Sequence, residues 1–272
     1  LKARCLIGLT LFSMFFGAGN LIFPPYLGFL AGESTWHAMA GFAVTAIAFP
    51  VLGVMAVARS GGLETLGNRV HPIFSAIFTL LVYLSIGPCL AIPRTASTSF
   101  EMAVNPLFMG ENALTGTVMG LDYSVVAQAI YSVGFFILAG LIALNPEKLT
   151  QRLGKILAPM LLTLIALLFF STLFNPLAPQ LVAVQDPYKT SAFFRGFIEG
   201  YQTMDTLAAL NFGLIIAMNI RAFGVSNENG VVSETMKAGV IAGVLFIIVY
   251  SALAWVGAQS GAAGFTAANG AQ

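Results

Sequence analysis

The sequence predicts a polytopic α-helical membrane protein, and three observations lead there. Of 272 residues, 58% are hydrophobic and only 8% are charged, against roughly 25% charged in an ordinary soluble domain. The apolar residues gather in runs of about 20, the length a helix needs to cross a bilayer. Short stretches of Gly, Pro, Asn and charged residues separate these runs, as expected of connections. A soluble fold of this length needs a charged surface, and the chain has too few charges to make one. Lipid removes that need.

Seven spans are expected, over residues 5–30, 37–58, 73–100, 122–144, 153–174, 194–222 and 236–257. The first follows Lys2 and Arg4 but is too long for a signal peptide, and further apolar runs follow it. Nine of the twelve Lys and Arg (Lys2, Arg4, Arg59, Arg69, Lys148, Arg152, Lys155, Arg221 and Lys237) fall on one side if the N-terminus is cytoplasmic. The other side holds Lys189, Arg195 and the acids Glu101, Glu111 and Asp122. The positive-inside rule therefore puts the N-terminus in the cytoplasm. The final stretch, residues 258–272, carries no charge and reads as an outer loop that stops, so a fragment is expected.

The composition also excludes several roles. A net charge of +1 and no basic run argue against nucleic acid as a partner. Cys5 and Cys89 lie in apolar runs without a second Cys or a His at ligand spacing, so both read as core residues and not as metal or disulfide sites. His37 and His71 stand at span edges and read as interfacial or capping residues. No Ser/His/Asp arrangement, paired carboxylates or phosphate loop appears, so the chain is not expected to be an enzyme. An intramembrane enzyme using Asp205 with another acid stays as a third reading.

Two spans are interrupted. In span one, Gly17-Ala18-Gly19-Asn20 sits mid-run, followed by Pro24 and Pro25. Glycine is a poor helix former, and proline removes backbone donors, so the helix is expected to unwind or kink around 17–20. In span six, Glu199, Gln202, Thr203, Asp205 and Thr206 interrupt the apolar run beside Gly196 and Gly200. Asp205 is the one acid placed near mid-membrane, where a charge marks a functional site by default. A Gly-x-Gly pair inside a span serves helix packing equally well, and a buried acid can be purely structural. Taken together, interrupted helices at corresponding positions of two halves point to the substrate site of a secondary transporter.

An odd number of spans per repeat inverts topology, so spans one and six imply a five-plus-five inverted repeat. Residues 1–272 then form a single transmembrane domain. Residues 1–174 are a first five-helix repeat and 194–272 the start of a second, truncated after helix seven. A half-helix N-terminus suits a substrate carboxylate, and half-helix C-terminal carbonyls suit sodium or an ammonium group. Phe12, Met14, Phe15, Phe16, Ile22, Phe23, Tyr201 and Met204 offer an apolar cavity, although about half of them are expected to face lipid or other helices instead.

Span three carries Pro88 and Pro93, which predict a kink. Arg94 follows, and a guanidinium at that depth is costly unless paired. Glu101, Asp205 and Glu199 are the candidate partners, in a structural or gating ion pair formed with Arg94. Snorkelling to the interface is the alternative.

Three segments, Phe16–Pro25 (FGAGNLIFPP), Ala91–Ala96 (AIPRTA) with Phe100-Glu101, and Gly200–Ala209 (GYQTMDTLAA), resemble the bacterial branched-chain amino acid:cation symporters, the BrnQ-type carriers. The resemblance runs from span one to Asn269–Gln272, which looks like the loop before that family's eighth helix. It implies sodium-coupled uptake of leucine, isoleucine and valine by alternating access, in the bacterial inner membrane. It also implies the inverted-repeat fold of the amino acid–polyamine–organocation superfamily, with discontinuous helices one and six. Backbone around Ser13, Phe16 and Gly17 would help hold sodium, and no other cofactor is implied. Residues Gly17, Ala18, Gly19, Asn20, Gln202, Thr203, Met204 and Asp205 would hold the amino acid. A proton-coupled carrier of the same fold and a non-transporting membrane bundle are the alternatives.

Overall fold

The computed structural model describes residues 2–108, 115–118, 120–144, 158–222, 225, 227–267 and 269–271. Lys148, Arg152, Lys155 and Glu111, which entered the orientation argument, lie outside these residues, as does the start of span five at 153–157.

The described chain is mostly helical. Span one is split into α1 (Lys2–Phe15) and α2 (Ala18–Ala31). Gly32, at φ +49°, turns the chain into α3 (Thr35–Ala43), which passes through a π-turn at Val44–Ala48 into α4 (Phe49–Ser60). A short helix, α5 (Leu63–Asn68), fills what the sequence suggested was a plain connection. His71 then caps α6 (Pro72–Leu84), its Nδ1 accepting from the Ile73 N–H at 3.2 Å. This agrees with a capping role.

Span three kinks as its prolines predict. A π-turn at Ser85–Cys89 contains Pro88 and a non-helical Gly87, and α7 (Ala91–Ala103) follows. Cys89 is exposed there, which corrects its expected place in the core. The kink turns the residues around Pro88 to the outside of the bundle, where lipid suits a thiol well enough. A two-residue antiparallel ladder, β1 (Thr117–Val118) with β2 (Leu121–Asp122), is a small departure from an all-α chain. The remaining helices are α8 (Tyr123–Ala143), α9 (Ala158–Phe174), α10 (Tyr188–Tyr201), α11 (Asp205–Ala222) and α12 (Glu228–Ala262).

Four described helical runs are long and apolar enough to cross a membrane: 18–60, 72–103, 123–143 and 228–262. The broken spans contribute shorter pieces. At about 1.5 Å per residue, the 14 residues of α1 reach only about 21 Å. Leucine, isoleucine and phenylalanine side chains such as Ile130, Leu141, Phe174 and Ile248 stand well exposed around the outside. None of the residues of α8 is buried. In water such a surface would aggregate, whereas a bilayer solvates it. The chain is a multi-pass membrane protein.

Small residues set the packing at the centre. The long α12 lies along α2, α1 and α4, while α10 lies along α3 and α11 along α4. A Cβ on Gly257 would strike the Pro25 carbonyl, and one on Gly28 the Ala254 carbonyl, so α2 and α12 touch backbone to backbone. Gly41, Gly196 and Gly200 do the same for α3 and α10. Such close approach is how helices gain contact where lipid is as apolar as leucine.

Replacing Gly257 by Val should force α2 and α12 apart, a destabilisation of about 1–3 kcal/mol or more. Gly134→Val in α8, where an added Cβ meets nothing within 4 Å, should leave stability unchanged. Thermal unfolding of the two variants in detergent checks this, and equal melting temperatures would contradict it.

Candidate functional site

The break in span one is set locally. Gly17 adopts an extended conformation (φ −128°, ψ −168°) between α1 and α2. The Asn20 side chain folds back so that its Oδ1 accepts from the Gly17 N–H at 2.8 Å, and the Asn20 N–H donates to the Gly17 carbonyl at 3.2 Å. This reciprocal pair is a helix N-terminal cap in the middle of a span. Pro24 and Pro25, inside α2, offer no N–H to the carbonyls of Asn20 and Leu21. The unwinding expected at 17–20 is found at 16–17, and α2 begins at Ala18.

The break in span six lies at Gln202–Met204, between α10 and α11. Met204 takes φ +66°, a left-handed conformation that a side chain adopts at some cost. Strain of this sort persists where its surroundings impose it. Asp205 opens α11, where the positive end of the helix dipole favours its charge.

The two breaks meet. Asn20 Nδ2 donates to Asp205 Oδ2 at 2.7 Å and also to the Tyr250 hydroxyl. That hydroxyl in turn donates to the same carboxylate oxygen at 3.2 Å. All three groups are buried: Asn20 is 1% exposed, Asp205 3% and Tyr250 0%. The carboxylate thus joins α2, α11 and α12 at one point. The Thr203 hydroxyl beside it donates to the Gly200 carbonyl at 2.9 Å and accepts from the Asp205 N–H at 3.4 Å.

The expected ion pair around Arg94 takes a different form. Arg94 Nη1 donates to the Gln202 carbonyl at 2.6 Å and Nη2 to the Thr203 carbonyl at 3.2 Å. The Phe23 ring lies 5.6 Å from the guanidinium carbon. Glu101 is seven residues along α7, about 10 Å of helical rise, and pairs with Asn105. Glu199 is held by Arg195 one turn earlier, at 2.5 Å, and by Gln202 Nε2 at 2.9 Å. Neither acid is therefore the partner of Arg94.

Of the residues expected around substrate, Gly19, Asn20, Thr203 and Asp205 are buried at the junction, while Gly17 and Gln202 are exposed and Ala18 and Met204 half-buried. Gly19 lies directly against span six: an added Cβ would come within 3.1 Å of Thr203 Cα. Of the proposed sodium residues, Ser13 and Phe16 are half-buried. The Ser13 hydroxyl donates to the Leu9 carbonyl at 3.0 Å, so only its carbonyl faces forward along the chain toward the break. The expected apolar cavity is partly filled from within. Phe12 packs on Phe246 with centroids 4.6 Å apart, and Phe15 on Phe212 at 5.8 Å. Ile22 is buried, whereas Tyr201 is exposed beside Phe49 and Phe197.

Sequence reasoning missed Tyr250, since a phenol at the end of the run Leu245–Tyr250 gives no sign of a partner. It also missed the Arg195–Glu199 pair, whose i,i+4 spacing was available to read. Thr45 was a third omission. Within the π-turn its hydroxyl donates to the Phe197 carbonyl at 2.8 Å, and its own carbonyl accepts from the Thr206 hydroxyl at 3.1 Å.

A family model described as branched-chain amino acid transport protein matches residues 1–272. The branched-chain amino acid permease BrnQ of Bacillus subtilis is 44% identical over 257 residues, covering 94% of this chain and 56% of that protein. BraB, a branched-chain amino acid permease of the same organism, is 39% identical over 260 residues, covering 95% and 56%. A putative branched-chain amino acid carrier protein of Staphylococcus saprophyticus is 39% identical over 260 residues, covering 94% and 55%. The chain thus spans little more than half the length of these relatives. No solved structure matches it.

If the Asn20–Asp205–Tyr250 junction acts as a unit, its members should couple. Asn20→Ala and Tyr250→Phe should each cost about 1–3 kcal/mol by leaving a buried carboxylate short of a donor. The double variant should cost less than the sum by about 0.5 kcal/mol or more. Denaturant unfolding in detergent measures all three, and strict additivity would show that the two donors act independently.

Proposed function

The chain belongs to the branched-chain amino acid transport protein family, and from that premise we propose that it builds the substrate-binding core of a secondary active transporter for leucine, isoleucine and valine. The transporters named among its relatives exclude an enzyme reading. The observation that carries the proposal is the meeting of two helix breaks inside apolar spans, joined through Asn20 and Asp205 at 2.7 Å. The opening turn of α2, at Ala18 and Gly19, presents backbone N–H groups suited to a carboxylate. The end of α1 presents carbonyls suited to a cation. An amino acid carries both charges, and the breaks offer both complements. Gly17–Asn20 and Gln202–Asp205 form the proposed substrate site.

Sodium is the proposed coupling ion, held by backbone carbonyls of Ser13, Phe16 and Gly17. A hard cation of this kind favours oxygen ligands, and these are the acceptors the α1 end supplies. The proposed setting is the bacterial inner membrane with the N-terminus in the cytoplasm, supported by the bias of Lys and Arg. The proposed fold is the five-plus-five inverted repeat. The greater length of the relatives leaves room for the helices that would complete it.

Proton coupling is the second reading, and the burial of the Asp205 carboxylate in direct contact with both breaks favours it. Uptake of labelled leucine into proteoliposomes separates the two. Under the sodium reading an inward sodium gradient should drive accumulation, with isoleucine and valine competing. Accumulation that ignores sodium and follows a proton gradient would transfer the coupling role to Asp205. Asp205→Asn should lower uptake or its ion dependence, and an unaltered variant would assign the acid a purely structural role.

A further inference from the structure

The carbonyl groups at the two breaks are in different states. At the end of α10 every acceptor from Glu199 to Thr203 is engaged. The Glu199 carbonyl takes the Gln202 N–H at 3.0 Å, the Gly200 carbonyl the Thr203 hydroxyl at 2.9 Å, and the Tyr201 carbonyl the Met204 N–H at 3.0 Å. The Gln202 and Thr203 carbonyls take Arg94. At the end of α1 the Phe12 carbonyl accepts from the Phe16 N–H at 2.9 Å, and there the ladder stops. The Gly17 N–H, which would continue it to Ser13, is turned onto Asn20 Oδ1 instead. Among the described residues no hydrogen bond reaches the carbonyls of Ser13, Met14, Phe15 or Phe16.

The negative end of a helix in a low-dielectric setting attracts a cation. We propose that the end of α10 is a cation seat filled by the protein's own Arg94 guanidinium, so that a free cation at the breaks is left the end of α1. This rests on the transport reading only for what the free cation is, the coupling ion or the substrate ammonium. The seat itself needs no transport.

The seat is shaped for a guanidinium. A planar fork spans two successive carbonyls, whereas an ammonium is a point charge. Phe23 faces the fork as a cation–π partner. Gly19 makes room, since a Cβ there would stand 2.8 Å from Arg94 Nη2. The α7 stem enters from span three, so the charge is tethered to a helix outside both broken spans.

The test is a thermal-shift series on the purified chain in detergent, with methylguanidinium chloride as the probe and tetramethylammonium chloride as the ionic-strength control. Truncating Arg94→Ala empties the seat, so about 10–20 mM methylguanidinium should raise its melting temperature by about 3 °C or more over the control, because a ligand that binds only the folded state stabilises it. Wild type, with the seat filled, should shift less, since only the end of α1, common to both proteins, is left open to the probe. Where the alanine variant yields no folded protein, Arg94→Leu keeps an apolar stem and carries the same comparison. No shift in either variant, or an equal shift in wild type, overturns the proposal. Failure of wild type to take up leucine would sink the transport reading and leave this comparison standing.

Discussion

Backbone groups released from a helix inside a bilayer have no water to turn to, and each costs several kcal/mol if left alone. Two spans of this chain release such groups, and much of the central structure answers that cost. Asn20 caps the start of α2 with one end of its amide and reaches Asp205 and Tyr250 with the other. Arg94 covers the carbonyls beyond α10. Thr203 covers another with its own side chain. The helices that supply these groups come from four parts of the sequence, so the breaks tie four spans together.

The second constraint is distance. Side chains as short as Asn20 and Asp205 bridge two spans only if the backbones come close. Glycine grants that closeness at Gly19 against Thr203, at Gly28 and Gly257 between α2 and α12, and at Gly196 and Gly200 between α10 and α3. Close packing is thus the use these glycines share, and Gly257 is there for the absence of a side chain.

Much of this was legible in the sequence, and what was not has physical causes. The break in span one was placed within a residue or two because Gly and Pro act locally, through the backbone of their own turn. Asp205 stands out in the sequence for a similar reason, since a lone acid in an apolar run is conspicuous. The partners were harder. Arg94 feels the charge of Asp205, one of its expected partners, but its guanidinium donates to two carbonyls, and carbonyls carry no mark in a sequence. Tyr250 sits 45 residues from Asp205, in a span whose pattern is uniformly apolar. The π-turn at Val44–Ala48 has no composition that sets it apart from α-helix. The short helix α5 has only six residues, too few for a periodic pattern to distinguish it from a connection.

The π-turn bears on how the two halves of span six can behave. Thr45 holds Phe197, on the near side of the break, through its hydroxyl, and Thr206, on the far side, through its carbonyl. Gly200 presses against that same threonine. One residue of a neighbouring span thus acts as a clasp across the hinge. Any change in the angle between α10 and α11 must open one of these two bonds or carry the π-turn along. Span two is thus bonded to both halves of span six through a single residue.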